Sequence, residues 1–227
     1  MANDQEKEAA ARASLQYVKD GQVVGLGTGS TAAYFIKLLG EKVKEGLRIR
    51  GIPTSIRSRE LAMSLGIPLT TLDECQEIAV TVDGADEVDP QLRLIKGGGG
   101  ALLREKIVAS ATKQFVIVAD ASKQVERLGK FPLPVEVIRF AQALVAKRIT
   151  ALGAHVQLRQ GPDEKPYLTD ENNYILDCRF GEIRDADGLA RTLSEMPGVV
   201  EHGLFIGMAN VVLFARGNEI VELKRKA

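Results

Sequence analysis

Short apolar runs of strand length alternate with helical segments through the N-terminal half of the sequence. The runs EIAVTVD (77–83) and QFVIVAD (114–120) are rich in β-branched residues, and the segment 101–113 between them has helical periodicity. Strands that alternate with helices form βαβ units, whose strands lie parallel in one sheet. The alternation therefore predicts an α/β fold with a doubly wound, mostly parallel, Rossmann-like sheet.

The other elements of this region follow from the same periodicity and from glycine punctuation. We predict that Gly40 ends the second helix, because a glycine often follows the last helical residue. The predicted helices lie at 4–19, 31–39 and 55–66, and the predicted strands at 22–26, 48–52 and 68–72.

A second domain is predicted after Phe131-Pro132-Leu133-Pro134, where the pattern changes. The elements that follow have the order β-α-β-β-α-β, which is typical of ferredoxin-like domains. The final strands, 210–216 and 219–224, exceed that unit, so we assign them to the first sheet. The predicted organisation is a Rossmann-like catalytic domain (1–130 plus 206–227) with an inserted ferredoxin-like α+β domain (131–205).

The charge balance and the apolar pattern exclude several classes of partner. Lys+Arg and Asp+Glu number 30 each among 227 residues, so no global basic field would attract nucleic acid. The N-terminal region has no apolar signal core, and no apolar run approaches the ~18 residues of a membrane span. Cys75 and Cys178 lack metal-type spacing and are interpreted as reduced thiols. We therefore expect a cytoplasmic protein without a membrane or nucleic-acid partner.

Polar clusters follow three of the predicted strands at their carboxyl ends. They are GLGTGSTA (25–32), DGADEVD (83–89) and ADASKQ (119–124). Ligands of open α/β sheets bind beyond the carboxyl ends of the strands. The shared position therefore predicts a small-molecule site.

The glycine-rich cluster at 25–32 is a predicted strand-to-helix turn. Its backbone N–H groups and the helix start favour an anion. A dinucleotide fingerprint would need glycine in place of Ser30 and an acidic residue after the second strand, and the Gly-Lys-Ser/Thr of a P-loop is absent. We predict a small phosphate or carboxylate held by the amides and by Thr28, Ser30 and Thr31, and a purely structural turn stays open as the alternative.

Asp83 and Asp86 are candidate functional carboxylates at the end of a buried strand. Paired carboxylates can accept hydrogen bonds from sugar hydroxyls or relay protons. The spacing does not match an EF-hand and neither histidine is nearby, so we expect no metal site. Glu87 and Asp89 are interpreted as a solvated turn.

Lys96 precedes a run of four glycines, Gly97 to Gly100. Such a run can direct several N–H groups into one concavity, and the ammonium group would complete an oxyanion-stabilising site. A flexible loop is the alternative, but the run joins a strand-end site directly to a helix.

Glu105 lies on a helix face of small apolar residues, and Leu103, Ile107 and Ala111 line the opposite face, so the helix is predicted to be covered on both sides. A carboxylate in such surroundings is unusual unless it is paired. Taken alone, the position also fits an ordinary surface glutamate.

Together these motifs resemble the type A ribose-5-phosphate isomerases. The similarity extends in order over essentially the whole chain. Its segments are GLGTGSTA (25–32), DGADEVD (83–89), KGGGGALLREK (96–106), ADASKQ (119–124), LGKFPLPVEV (128–137) and PGVVEHGLF (197–205).

The resemblance implies an enzyme of the non-oxidative pentose phosphate pathway that interconverts D-ribose 5-phosphate and D-ribulose 5-phosphate through an enediolate, without metal or organic cofactor. It implies that Glu105 is the base between C1 and C2, and that Asp83 and Asp86 contact hydroxyls, assist ring opening and move the oxygen-bound proton. Lys96 and the amides of Gly97–Gly99 would stabilise the developing O⁻. The substrate, mainly its phosphate, would be held by Thr28, Gly29, Ser30, Thr31, Gly84, Ala85 and Lys123. A homodimer or a dimer of dimers is also implied.

Two alternatives to an isomerase belong to different functional classes. One is another enzyme of the same broad fold, such as an amino-sugar-phosphate deaminase or a CoA transferase, for which different catalytic segments would be expected. The other is a non-enzymatic sugar-phosphate sensor, which predicts an attached DNA-binding module and a dispensable Glu105. The region before the first strand is predicted to hold only one helix.

Overall fold

The computed structural model describes residues 2–217 and 219–225 of the chain. The α-helices are α1 (Ala2–Ser14), α2 (Ser30–Lys44), α3 (Ile56–Ser64), α4 (Leu102–Ser110), α5 (Gln142–Ala151) and α6 (Ala186–Ser194). The strands are β1 (Val23–Leu26), β2 (Arg50–Pro53), β3 (Ile78–Asp83), β4 (Glu87–Val88), β5 (Leu94–Ile95), β6 (Thr112–Asp120), β7 (Leu133–Val137), β8 (His155–Leu158), β9 (Tyr174–Arg179), β10 (Val199–His202), β11 (Leu204–Phe205), β12 (Val211–Arg216) and β13 (Glu219–Lys224). Short 3₁₀ helices lie at Leu15–Tyr17, Ala121–Lys123 and Arg139–Ala141.

The chain divides into two compact units, each formed by segments that are separate in sequence. The first unit holds the residues up to Ala85, Arg104–Gln124 and the residues from Met208 onwards. The second unit holds Asp86–Leu103 and Val125–Gly207.

A sheet in the order β13-β12-β6-β3-β1-β2 forms the centre of the first unit. Among the described residues, its neighbouring strands pair in parallel except for β12 with β13. The prediction of a doubly wound, mostly parallel sheet is confirmed, as is the return of the final strands to it. Of the predicted strand at 68–72, the structure retains only an isolated bridge between Gly51 and Leu69.

The core of the first unit explains why its strands are continuous apolar runs. Every residue of β1 is buried, because helices cover parallel sheets on both faces. Val24 and Leu26 of β1 pack in one cluster with Val82 of β3 and with Phe35 and Leu39 of α2. This packing fixes the carboxyl ends of β1 and β3, where the predicted site residues begin.

Gly40 does not end α2, so that prediction is wrong. The helix continues to Lys44, and Gly46, with φ 107°, is the glycine in the left-handed region beyond it. Gly40 is buried, and a Cβ placed there would lie 2.9 Å from Leu65 Cβ. The glycine therefore serves close packing inside the helix rather than termination.

The second unit contains an antiparallel sheet in the order β10-β7-β9-β8. When the strands are numbered within this sheet alone, the order is 4-1-3-2, and α5 and α6 occupy the two crossovers of the βαββαβ succession. This confirms the ferredoxin-like prediction. A smaller sheet in the order β11-β5-β4 belongs to the same unit.

The boundaries of the two units differ from the predicted domain boundaries. Residues 86–103, assigned from sequence to the Rossmann-like part, group with the second unit. The reason is strand pairing, because β5 lies between β4 and β11 in the smaller sheet. The other boundaries fall after Gln124 and Gly207, near the predicted positions at 130 and 205.

None of the helices in the described ranges combines the length and the apolar character needed to cross a membrane.

Glu136 of β7 is a buried carboxylate in the second unit, 1% exposed. Its Oε1 accepts hydrogen bonds from Thr169 Oγ1 (2.8 Å) and Asn173 Nδ2 (3.0 Å), while its buried Oε2 has no hydrogen-bond partner within the described part of the chain. Burial is the main cause that raises the pKa of Glu136, and Glu171 and Glu201 raise it further. The two hydrogen bonds oppose this shift without cancelling it.

We expect Glu136→Gln to change the pH dependence of stability. When the pKa of a carboxyl group is raised in the folded state, the protonated group stabilises the fold at pH values below its ordinary pKa of 4.5. This contribution to stability is lost as the pH rises through the folded-state pKa. The variant cannot lose this proton, so its free energy of unfolding should rise relative to wild type between about pH 4 and about pH 7. Urea unfolding across this range measures the difference. The exposed Glu126→Gln, at a position that is not among the groups raising the pKa of Glu136, is the control. Parallel profiles for Glu136→Gln and wild type would contradict the raised pKa.

Candidate active site

The glycine-rich turn of the first unit begins where β1 ends, at Leu26. The Gly27 N–H donates to the Val82 carbonyl (3.0 Å), and the Thr28 N–H donates to Asp83 Oδ1 (3.0 Å). A Cβ at Gly27 would overlap the Asp83 side chain. Only glycine therefore lets the turn lie directly against the end of β3.

The start of α2 has the features of an anion site. Gly29, the N-cap, has φ 112° and no side chain with which to cap the helix. The first N–H groups of a helix lack intrahelical partners, and the helix dipole is positive there. Ser30 is exposed and Thr31 is buried. The geometry suits the predicted phosphate position, which stays a prediction.

The Thr28 hydroxyl joins a cluster of hydroxyl groups that sequence reasoning missed. Thr28 Oγ1 lies 2.7 Å from Thr54 Oγ1, 2.8 Å from Ser55 Oγ and 3.2 Å from Ser58 Oγ. The Ser58 hydroxyl also donates to the Gly27 carbonyl (2.7 Å). The signal in the sequence was the pair of hydroxyl residues, Thr54 and Ser55, that directly follows β2. The cluster fixes the side of the turn that faces β2.

Asp83 ends β3 as a fully buried carboxylate. Its Oδ1 accepts hydrogen bonds from the amides of Thr28 (3.0 Å) and Gly84 (2.7 Å). Gly84 and Ala85 follow it and are partly buried. The same carboxylate therefore organises both turns at this edge of the sheet.

Glu105 lies in the first turn of α4 and is 3% exposed, so the surface-glutamate alternative is wrong. Val108 and Ala109, on the same face, are also buried. The opposite face is not covered as predicted, because Ile107 is 44% exposed. The helix thus directs its carboxylate inward and leaves an apolar side chain at the surface.

Lys123 ends the 3₁₀ helix after β6 and is partly buried. Asp120 caps this helix, and its Oδ1 accepts hydrogen bonds from the Ser122 amide (3.1 Å) and the Ser122 hydroxyl. Asp120 is 1% exposed, and its Oδ2 has no hydrogen-bond partner among the residues the structure describes. The sequence pattern predicted no role for this aspartate, and the structure shows that it fixes the segment that carries Lys123.

In the second unit, the glycine run lies against Asp86. The Gly98 N–H donates to Asp86 Oδ2 (2.7 Å), and the Asp86 N–H donates to the Ile95 carbonyl (2.8 Å). A Cβ at Gly98 would lie 2.6 Å from Asp86 Oδ1. Gly98 and Gly99 are exposed, whereas Gly97, with φ 105°, is buried. Asp86 and the run are therefore one local structure, and an alanine at 98 would displace the carboxylate.

Lys96 is 2% exposed and lies beside an aromatic ring. Its Nζ is 5.4 Å from the centroid of Phe205, a distance at which a ring face attracts a cation. The Lys96 N–H donates to the Gly203 carbonyl (2.9 Å). The ammonium group is thus held at the start of the glycine run.

The interpretation of Glu87 and Asp89 as a solvated turn is wrong, because they are 3% and 1% exposed. Glu87 accepts hydrogen bonds from the amides of Gly129 (2.7 Å) and Phe131 (2.5 Å). Asp89 accepts from the Arg93 amide (3.0 Å) and Arg93 Nε (2.6 Å). Both carboxylates are internal because they satisfy N–H groups of turns in the second unit.

The predicted site residues fall into two sets. The first unit contains Thr28, Gly29, Ser30, Thr31, Asp83, Gly84, Ala85, Glu105 and Lys123; the second contains Asp86, Lys96, Gly97, Gly98 and Gly99. Within residues 2–217 and 219–225, no group of three or more His, Cys, Asp and Glu side chains could hold a metal ion.

A mostly parallel sheet with a glycine-rich strand-to-helix turn and buried carboxylates at its carboxyl end is typical of α/β enzymes that act on small molecules. The family described as ribose 5-phosphate isomerase A (phosphoriboisomerase A) matches residues 50–219. The chain belongs to this family.

Relatives over the full length agree with this assignment. The chain is 54% identical over 229 residues to ribose-5-phosphate isomerase A of Parvibaculum lavamentivorans (97% of this chain and 99% of that protein). It is 50% identical over 221 residues to that of Roseiflexus castenholzii (96% of this chain and 94% of that protein). The resemblance seen in the motifs is confirmed, and the alternative classes are not favoured.

Solved structures agree as well. A D-ribose-5-phosphate isomerase in complex with phospho-erythronic acid superposes with a TM-score of 0.96 at 41% identity, covering 99% of this chain and 100% of that one. The ribose 5-phosphate isomerase A of Methanocaldococcus jannaschii gives a TM-score of 0.92 at 43% identity, covering 96% of this chain and 97% of that one.

Replacement of the buried Glu87 tests its structural role. Glu87→Ala removes two hydrogen bonds from amides to a carboxylate, so we expect the free energy of unfolding to fall by about 3 kcal/mol. The exposed Glu126→Ala should change it by less than about 0.5 kcal/mol. Urea unfolding of both variants measures the difference, and equal stabilities would show that Glu87 is dispensable to the fold.

Proposed function

We propose that the chain interconverts D-ribose 5-phosphate and D-ribulose 5-phosphate through an enediolate, as a step of the non-oxidative pentose phosphate pathway. The observation that carries the proposal is the buried Glu105, 3% exposed, in a chain that matches the isomerase A family over most of its length. A buried carboxylate that directly follows an oxygen-binding glycine run is what proton transfer next to a carbonyl requires.

Glu105 is the proposed base. Moving hydrogen between C1 and C2 requires a group that takes a proton from one carbon and returns it to the other. General acid–base catalysis supplies about 10²–10⁴-fold, so positioning and oxyanion stabilisation must supply the remainder. Glu105 lies in the first turn of α4 among buried residues, and this packing restricts the positions of its side chain.

Lys96 and the amides of the glycine run are the proposed donors to the oxygen that becomes negative in the enediolate. Preorganised N–H groups and an ammonium group stabilise such charge most where water is excluded, and Lys96 is 2% exposed. Because the Gly98 N–H already donates to Asp86, we assign Gly98 to holding that carboxylate. Gly97 and Gly99 remain as the amide donors with Lys96.

Asp83 and Asp86 are proposed to contact the sugar hydroxyls, to assist ring opening and to move the oxygen-bound proton. Each carboxylate has one oxygen held by backbone amides, Asp83 by Thr28 and Gly84 and Asp86 by Gly98. Fixed in this way, a carboxylate can exchange a proton without changing its position. Ring opening breaks the bond between C1 and the ring oxygen, and that oxygen takes up a proton. The later steps transfer protons between carbon and oxygen as the C=O and C=C bonds rearrange, and each role falls on a residue of this chain.

The start of α2 is proposed to bind the phosphate, together with Ser30, Thr31 and Lys123, and Gly84 and Ala85 line the sugar. Unpaired N–H groups at a helix start and the ammonium group of a lysine suit a phosphate dianion. Supporting this, a relative's structure contains phospho-erythronic acid, by its name a phosphorylated four-carbon sugar acid. Its carboxylate and phosphate correspond to the two anionic ends of an enediolate phosphate.

The chain is further proposed to act in the cytoplasm as a homodimer or a dimer of dimers. Apolar side chains of α5 and of the 3₁₀ helix before it support self-association, since Phe140 is 99% exposed and Leu144 is 51% exposed. A free, buried Cys178, whose pKa burial raises to about 12, suits a reducing compartment.

Glu105→Gln is expected to lower kcat by at least about 10²-fold while leaving KM within about threefold, because the amide fills the same space but cannot accept the proton. The measurement is the initial rate of ribulose 5-phosphate formation from ribose 5-phosphate in metal-free buffer. Lys123→Ala is the matched variant and should chiefly raise KM. A near-wild-type rate in Glu105→Gln would remove Glu105 as the base.

Phe140→Ser is expected to weaken self-association without loss of folding, because an exposed aromatic ring contributes to a subunit interface rather than to the core. Sedimentation equilibrium should show wild-type oligomers and a higher dissociation constant for the variant. A monomeric wild-type protein at micromolar concentration would contradict the proposed assembly.

A further inference from the structure

Arg159, which follows β8, holds the glycine run of the second unit from its carbonyl side. Its Nη1 donates to the carbonyl of Gly97 (2.8 Å) and lies 3.3 Å from the carbonyl of Gly98. Glycine residues have more backbone freedom than any other type, so a run of them needs such external contacts to keep one conformation.

Arg159 is itself fixed by Asp177 of β9. Arg159 Nε donates to Asp177 Oδ2 (3.0 Å) and Nη2 donates to Asp177 Oδ1 (2.5 Å), a bidentate pair. The two side chains are 14% and 25% exposed. The guanidinium group also lies 6.0 Å from the ring centroid of Tyr167, whose hydroxyl approaches Gly100 closely enough to leave no room for a Cβ there.

The Gly97–Gly98 peptide is held at both of its polar ends. Its carbonyl accepts from Arg159, and its N–H, on the opposite side of the same trans peptide, donates to Asp86 Oδ2 (2.7 Å). The order is therefore Asp177, Arg159, peptide and Asp86, and each member polarises the next. The contact with the Gly98 carbonyl likewise sets the direction of the Gly99 N–H.

We infer that Arg159 is a positioning residue for the isomerase reaction: through two glycine peptides it fixes the Asp86 carboxylate and the Gly99 amide. The inference rests on the proposed function, which gives Asp86 and Gly99 their roles. Arg159 acts through the backbone rather than on the substrate. Lysine could not replace it, because a single ammonium group cannot bind Asp177 bidentately and still reach both carbonyls.

The test is Arg159→Ala, with Arg179→Ala, an exposed arginine of the same sheet, as the matched control. A displacement of about 1 Å at a reacting group can cost about 10²-fold in rate, so kcat should fall by that order with KM within about threefold. Millimolar guanidinium chloride should restore part of kcat in Arg159→Ala, and sodium chloride at equal ionic strength should not. Arg159→Lys should remain at least tenfold below wild type.

Asp86→Asn, alone and combined with Arg159→Ala, identifies the route of the effect. If Arg159 acts through the Gly97–Gly98 peptide, the loss of kcat in the double variant should be clearly smaller than the product of the two single losses. A wild-type kcat in Arg159→Ala would overturn the inference. So would a loss of kcat that is explained by lower stability in urea unfolding and that guanidinium does not restore. If Arg159→Ala does not fold, Arg159→Lys decides in its place, and a wild-type kcat there would overturn it.

The proposed function is judged separately by Glu105→Gln. An inactive Glu105→Gln beside a fully active Arg159→Ala would leave the function intact and remove Arg159. A fully active Glu105→Gln would instead remove the proposed mechanism, whatever Arg159→Ala does.

Discussion

Asp83 ends β3 with a buried carboxylate, and the turns at the carboxyl end of the first unit's sheet depend on the hydrogen bonds that it accepts. One oxygen binds the amides of Thr28 and Gly84, which belong to the turns after β1 and β3. The contact is short enough that position 27 has no room for a Cβ. The glycine turn, the start of α2 and the partly buried Gly84 and Ala85 therefore take their places from a single side chain, which is also a proposed participant in the chemistry.

In the second unit, charged side chains fix a glycine-rich loop by hydrogen bonds to its backbone. The glycine run lies outside the helices and strands, and it is contacted by Asp86 on the amide side and by Arg159 on the carbonyl side. Charged groups hold loops elsewhere in this unit too, since Glu87 binds the amides of Gly129 and Phe131. Carboxylates that accept hydrogen bonds from backbone N–H groups thus fix the conformation of loops in the second unit, whereas regular secondary structure fixes much of the backbone in the first unit.

Much of the fold could be predicted from sequence because its signals are local. The β-branched runs of β3 and β6 are continuous because both faces of a parallel sheet are covered, and the βαββαβ succession is readable from periodicity alone. The prediction that Gly40 ends α2 was wrong because a glycine inside a helix and a glycine after a helix look the same in sequence. The residue that Gly40 packs against, Leu65, is remote in sequence. The grouping of 86–103 also depends on a remote pairing, that of β5 with β11.

For the site, sequence reasoning located the carboxylates but not their surroundings. Glu105 lies on a face of small apolar residues, and this pattern correctly marked it as unusual, while Glu87 and Asp89 resembled an ordinary acidic turn. Whether a carboxylate in a polar stretch is solvated depends on which amides approach it, and those of Gly129 and Phe131 come from far along the chain. Arg159 gave no signal at all, because two of its partners are carbonyl groups, which every residue has, and the third, Asp177, lies on β9.

The position of β12 has a consequence for how the chain acquires its structure during synthesis. This strand lies between β6 and β13, so the sheet of the first unit stays incomplete until residues 211–216 have left the ribosome. All of the second unit is synthesised before that point. Until then β6 exposes an unpaired apolar edge, the kind of surface on which a nascent chain aggregates or recruits a chaperone. The last strands of the sequence thus set the moment at which the nascent enzyme ceases to be vulnerable.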